Sequence, residues 1–158
     1  NAMVSLPEKL LGSYQAMVRL VPGEQGDCLI DLPVGSGRAL TVIVSGDKGG
    51  MGKVGGKVLG ASVKVYESGK ACTVKASVTV GAKVDVVVHV NGLAYAKWSG
   101  QAKDASPVAP DKAHPQGMPV IRVGCRSGTA RFQAVRVRML GGQTQPLRPR
   151  LAPKGPLE

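Results

Sequence analysis

The sequence predicts an all-β fold, a sandwich or barrel of antiparallel strands, and three observations carry that expectation. Apolar and polar residues alternate with a period of two along segment after segment, which is how a strand with one buried face reads. Turn signals separate these segments, supplied by 22 Gly and 11 Pro in 158 residues. Helix-type periodicity is nearly absent, and only "LPEKLLGSYQAM" near the start admits a short helix. A chain of 158 residues suffices for one domain with its own core.

In chain order, "NAM" reads as an expression scar, with Asn1 and Ala2 left from a cleaved tag, and residues 1–12 as a lead-in outside the sandwich. "YQAMVRLV" (14–21), "DCLIDLP" (27–33) and "ALTVIVS" (39–45) are the opening strands. "GDKGGMGKV" (46–54) follows as a glycine-rich connection. Next come "SVKVYE" (62–67), "ACTVKASVTV" (71–80), "VDVVVHV" (84–90) and "AYAKWS" (94–99). A loop over 100–118 carries Pro107, Pro110 and Pro115, and "PVIRVGC" (119–125) and "TARFQAVRVRML" (129–140) complete about nine strands. The tail 141–158 has four prolines and is expected to be disordered, leaving 13–140 as the domain.

Two places can be read more closely. Asn91-Gly92 is the preferred pair for a type I′ hairpin turn, since both central positions need positive φ. A regular hairpin then sets Val90 against Leu93, Val88 against Tyr95 and Val86 against Lys97 on the core face. The other face has His89 opposite Ala94, Val87 opposite Ala96 and Asp85 opposite Trp98, so the one tryptophan shares a non-core face with an acid and a histidine. In the last strand, Phe132 is out of phase with Val135, Val137 and Met139, and a bulge near Ala134 brings all four to the core.

Several chemistries are disfavoured. Lys48-Gly49-Gly50-Met51-Gly52-Lys53 imitates the deviant phosphate loop of partitioning-type ATPases, but Val54 stands where a hydroxyl must hold Mg²⁺. No helix follows to receive the phosphate, and no strand ends in a partner aspartate. There is no G-x-S-x-G elbow, and His89 and His114 lack metal-ligand spacing. Asp104 and Asp111, beside the proline-bearing loop, are the nearest approach to a calcium site. Asp27 and Asp31 share a strand face but lie roughly 13 Å apart, too far for a glycosidase dyad. Cys28, Cys72 and Cys125 fall in phase with apolar neighbours and read as buried free thiols. No apolar run approaches the ~20 residues that span a bilayer, so a soluble chain is expected.

Lys+Arg 21 against Asp+Glu 10 gives a formal charge of +11, which favours anionic partners. Arg122, Arg126, Arg131, Arg136 and Arg138 give 118–140 five positive charges and no acid. Lysines 48, 53, 57, 64, 70, 75 and 83 populate the middle of the chain. Nucleic acid is disfavoured, because neither stacking aromatics nor a recognition helix is evident.

The second half also carries a resemblance. "VVVHVNGLAYAKWSG", "HPQGMPVIRVGC" and "TARFQAVRVRML" resemble the closing strands of concanavalin A-like lectin/glucanase domains. The matching residues are Asn91-Gly92, Trp98, Gly100, Val120 to Gly124, and Phe132, Val135, Val137 and Leu140. Within that group the chain looks most like bacterial domains classed with 3-keto-disaccharide hydrolases. The resemblance implies a jelly roll of two antiparallel sheets, ligands on the concave face, a bacterial accessory domain, and an extracellular or periplasmic setting. The expected function is a non-catalytic module for a glycan or protein, with Trp98, His89 and Asp85 as the binding face and Arg122 as an anion contact. No cofactor or metal is implied. A glycoside hydrolase or lyase using Asp85 and His89 is the alternative, and an electrostatic binder of an anionic polymer the third reading.

Overall fold

A computed structural model describes residues 2–24, 26–45, 49–54, 57–60, 67–107 and 118–146, with backbone alone for 2, 53–54 and 57–60. The strands are β1 (Ala2–Ser5), β2 (Glu8–Leu11), β3 (Tyr14–Pro22), β4 (Asp27–Gly35), β5 (Arg38–Val44), β6 (Gly50–Val54) and β7 (Lys57–Gly60). They continue as β8 (Cys72–Val80), β9 (Val84–Val90), β10 (Leu93–Gly100), β11 (Ser106–Pro107), β12 (Arg122–Ser127), β13 (Ala130–Met139) and β14 (Gln143–Pro146). The described residues contain no α-helix, only a 3₁₀ turn at Ala102–Asp104, and no helix long and apolar enough to cross a membrane.

Two antiparallel sheets form the sandwich. One runs β1-β12-β4-β5-β6-β7, with β11 also on β5; the other runs β10-β9-β8-β3-β13. The alternation explains the arrangement. Val84, Val86, Val88 and Val90 of β9 are buried, as are Val18 and Leu20 of β3, and they meet Ile30, Leu32, Val42 and Val44 of the other sheet. Tyrosine hydroxyls tie the layers together, Tyr14 donating to the Pro33 carbonyl at 2.8 Å and Tyr95 to that of Ile43 at 2.6 Å. Cys28 and Cys72 are buried free thiols and Cys125 is a half-buried one, in phase with the core as expected.

Four expectations need correction. Residues 2–5 pair with β12 as an edge strand, so this part of the lead-in belongs to the sandwich. Residues 8–11, within the segment that could have been helical, are strand β2, paired with β14 in the first part of the tail. A pair of short ribbons stays favourable here because Gly12 and Gly142 let the backbones approach closely. The glycine-rich connection contains β6, and β7 follows it; the two extend the sheet from β5. Finally, β12 begins at Arg122, three residues later than the apolar run suggested, because Met118 to Ile121 are taken up by the backbone contacts Leu6 N–H to Ile121 O and Leu10 N–H to Pro119 O. The strand expected at 62–67 lies almost wholly outside the described residues, as do His114, Asp111 and residues 147–158.

Candidate binding face

The Asn91-Gly92 turn forms as read, with φ of 50° and 79°. Asn91 is fixed to the neighbouring strand, its N–H donating to the Thr73 carbonyl and its Oδ1 accepting from the Thr73 N–H, both at 2.9 Å. Beyond Ala94 the hairpin departs from the regular pairing. A bulge between Ala94 and Ala96 takes Tyr95 out of register, so that Ala96 opposes Val88, Lys97 opposes Val87 and Trp98 opposes Val86.

That single inserted residue reverses the face of everything after it. Trp98 points into the core at 9% exposure, while Asp85, Val87 and His89 point outward. The expected cluster of Trp98, His89 and Asp85 is therefore not assembled. The indole lies over Gly100, where a Cβ would meet its Cζ2 at 2.6 Å, so W-x-G is a packing device in which glycine leaves room for the ring. Asp85 and His89 share the outer face of β9 but are four residues apart, roughly 13 Å at strand rise.

Arg122 is also elsewhere, on the outer face of the other sheet and buried with Asp31. Its Nε and Nη2 donate to Asp31 Oδ2 at 3.1 and 2.8 Å, and Thr41 Oγ1 donates to Oδ1 at 2.7 Å. One step along, Arg126 pairs with Asp27. Burial raises the Asp27 carboxyl, but hydrogen bonds from Arg126 and Ser45 and the Arg126 charge outweigh it and hold the group below its ordinary value. The acids of β4 thus neutralise the arginines of β12.

The outer face of the five-stranded sheet is different. Strand register aligns its side chains in rows: Lys97–Val87–Ser77–Gln15–Arg138, then Ala94–His89–Lys75–Met17–Arg136, then Thr73–Arg19. Between the rows lies a depression of about 620 Å³ lined by Gln15, Lys75, Ser77, His89, Arg136 and Arg138, with Met17 in its floor. Gln15 Nε2 donates to Ser77 Oγ at 3.2 Å, and Arg19 Nε to Gln133 Oε1 at 2.9 Å, which orients the polar side chains across strands. Of the expected site residues, His89 lines this depression and Asp85 stands on the same face beyond it. Gln15, Ser77 and Arg19 had no signal in the linear sequence; strand adjacency alone reveals them. Arg136 and Arg138 did have one, since the bulge required by Phe132 also turns them outward, and that bulge falls between Phe132 and Ala134.

Among the described residues no group of three or more His, Cys, Asp or Glu side chains could hold a metal ion. This face can offer cations, amide and hydroxyl groups, an imidazole and an aliphatic floor to a ligand.

No family model and no curated protein sequence matches the chain. Solved structures match in fold. Sheep galectin-11 in complex with glycerol aligns with a TM-score of 0.58 and 14% identity over 87% of this chain and 96% of its own. A tetrameric galectin from the ball sponge Cinachyrella sp. aligns at 0.59 and 14% identity, over 87% of this chain and 100% of its own. Congerin II liganded by lactose and MES aligns at 0.53 and 12%, over 87% and 98%. The fold is the concanavalin A-like jelly roll, as the sequence resemblance implied.

Proposed function

We propose that this protein is a non-catalytic carbohydrate-binding module whose binding face is the outer surface of the five-stranded sheet. The observation that carries the reading is the depression itself. It sets hydrogen-bonding side chains Gln15, Ser77 and His89 around an aliphatic floor on four paired strands, so the groups are held by the sheet and not by loops. Hydroxyl-rich ligands need such a combination of donors, acceptors and C–H contact. The galectin neighbours support a sugar as the ligand class, since one of them holds lactose.

The likeness to 3-keto-disaccharide hydrolases would imply catalysis. Binding is favoured because Asp85 is the one described acid on this face, so among the described residues no second carboxylate of the sheet completes a pair with it. The accessory-domain role belongs to the same reading. Of the residues expected to bind, His89 remains in the site, Asp85 stands at its margin, and Trp98 and Arg122 serve the core and the Asp31 pair.

A glycan array probed with wild type, His89→Ala and Gln15→Ala tests this. Specific signals that weaken about three- to tenfold in both variants are expected, in keeping with one lost hydrogen-bonding group each. Signals that are absent, or indifferent to both substitutions, would refute it.

A further inference from the structure

Among the described residues, the cations on the two outer faces differ in how they are paired. On the seven-stranded sheet, Arg122 and Arg126 are paired with Asp31 and Asp27. On the five-stranded sheet, Arg19, Lys75, Lys97, Arg131, Arg136 and Arg138 all project outward. None of these six is in an ion pair with a described residue, and Asp85 is the described acid on their face. Neighbouring strands are ~4.8 Å apart, so Lys97 and Arg138, on opposite edge strands of one row, are separated by ~19 Å. The positive charge is a band across the sheet and not a point.

We infer that this band recognises an acidic polysaccharide, one carrying sulfate or carboxylate groups on successive sugars. The inference rests on the carbohydrate-binding reading and names the class of glycan. A linear polyanion is the ligand that several fixed cations across four strand spacings can engage at once, whereas a single small anion engages one or two. Between the cations lie Gln15, Ser77 and His89, which can reach sugar hydroxyls, and Met17 and Val87, which can lie against sugar C–H faces. Nucleic acid is the less suited polyanion. Phe132, Trp98, Tyr14 and Tyr95 all face the core, so among the described residues no Phe, Tyr or Trp ring is offered for bases to stack on. Nor do the described residues contain an α-helix to enter a groove.

The test uses a size-defined heparin dodecasaccharide, the same oligosaccharide chemically desulfated, an uncharged oligosaccharide of equal length, and single-stranded oligodeoxythymidine, with affinities measured over a range of salt. The heparin fragment is expected to bind tightest, with its affinity falling roughly sixtyfold for each fourfold rise in salt, as release of about three counterions requires. Arg136→Ala/Arg138→Ala and, separately, Lys75→Ala are expected to weaken it and to lower the log–log salt slope by roughly 0.7–1 per cation removed. Lys103→Ala, which removes one charge from the exposed 3₁₀ turn, is the control and leaves the slope unchanged. Equal binding of the uncharged and heparin fragments would overturn the acidic class while leaving the carbohydrate reading intact. Absence of binding to every glycan would overturn both. Tighter binding of the oligodeoxythymidine, or variants with unaltered salt slopes, would overturn the inference as well.

Discussion

At Gly49 the Tyr95 hydroxyl comes so close to the backbone that no Cβ fits, and a Cβ there would also stand 2.7 Å from the Ile43 carbonyl oxygen. The glycine therefore admits the hydroxyl that ties β10 to β5. Gly49→Ala should destabilise the protein by about 1–3 kcal/mol, the usual cost of overpacking. Tyr95→Phe removes the hydrogen bond at about 1 kcal/mol. The double variant should cost less than the sum, because the phenyl ring no longer brings an oxygen against the new methyl group; urea denaturation of all four proteins measures the coupling. Trp98 and His89 make a second pair of contrasts. Trp98→Ala should cost about 3–5 kcal/mol, as expected for a large buried ring. His89→Ala, on the outer face, should stay within about 0.5 kcal/mol while weakening glycan binding.

Two bulges, in β10 and β13, decide which side chains the five-stranded sheet presents. The one in β13 was legible, because Phe132, Val135, Val137 and Met139 reach the core together only if a residue is inserted between them. The one in β10 was not. Regular pairing of "LAYAKWSG" directs Tyr95 and Lys97 to the core and Trp98 outward; the bulge keeps Tyr95 in the core, where it reaches the Ile43 carbonyl, turns Lys97 out and brings Trp98 in. One slipped residue moved Trp98 from a supposed binding face to the core. Strands β6 and β7 were hidden for a related reason: glycines that look like a loop locally are held as strands by the pairing of β6 to β5 and of β7 to β6. The β4–β12 pair, which places Cys28 opposite Cys125, also allows a chemical check. Burial, together with the neighbouring Cys125, Cys72 and Asp27, pushes the Cys28 thiol up to about 12, and burial alone raises Cys72. At pH 8 both should remain thiols and resist iodoacetamide, leaving Cys125 as the labelled position. All three should react after unfolding, as intact-mass measurement would reveal.

Across the whole molecule, the sum of the charges was readable but their arrangement was not. Five arginines between 118 and 140 looked like one basic run; the fold sends two to acids on β4 and three to the open face of the other sheet. The paired side makes a pH dependence. Asp27 is held below its ordinary value of 3.8, so its contribution to stability is present above that value and is lost as pH falls through the lower folded one. Arg126→Ala should raise the Asp27 value and move the acid-unfolding midpoint upward, by a small amount because Arg126 is half exposed. The unpaired side is where the proposed binding function resides. Titration of ¹⁵N-labelled protein with the heparin dodecasaccharide, followed by amide chemical shifts, asks directly which face the ligand occupies. Perturbations are expected at the outward positions of β3, β8, β9 and β13, centred on Gln15, Lys75, His89, Arg136 and Arg138. Perturbations confined to β4, β5 and β12 would place the ligand on the opposite sheet and contradict the assignment of the binding face.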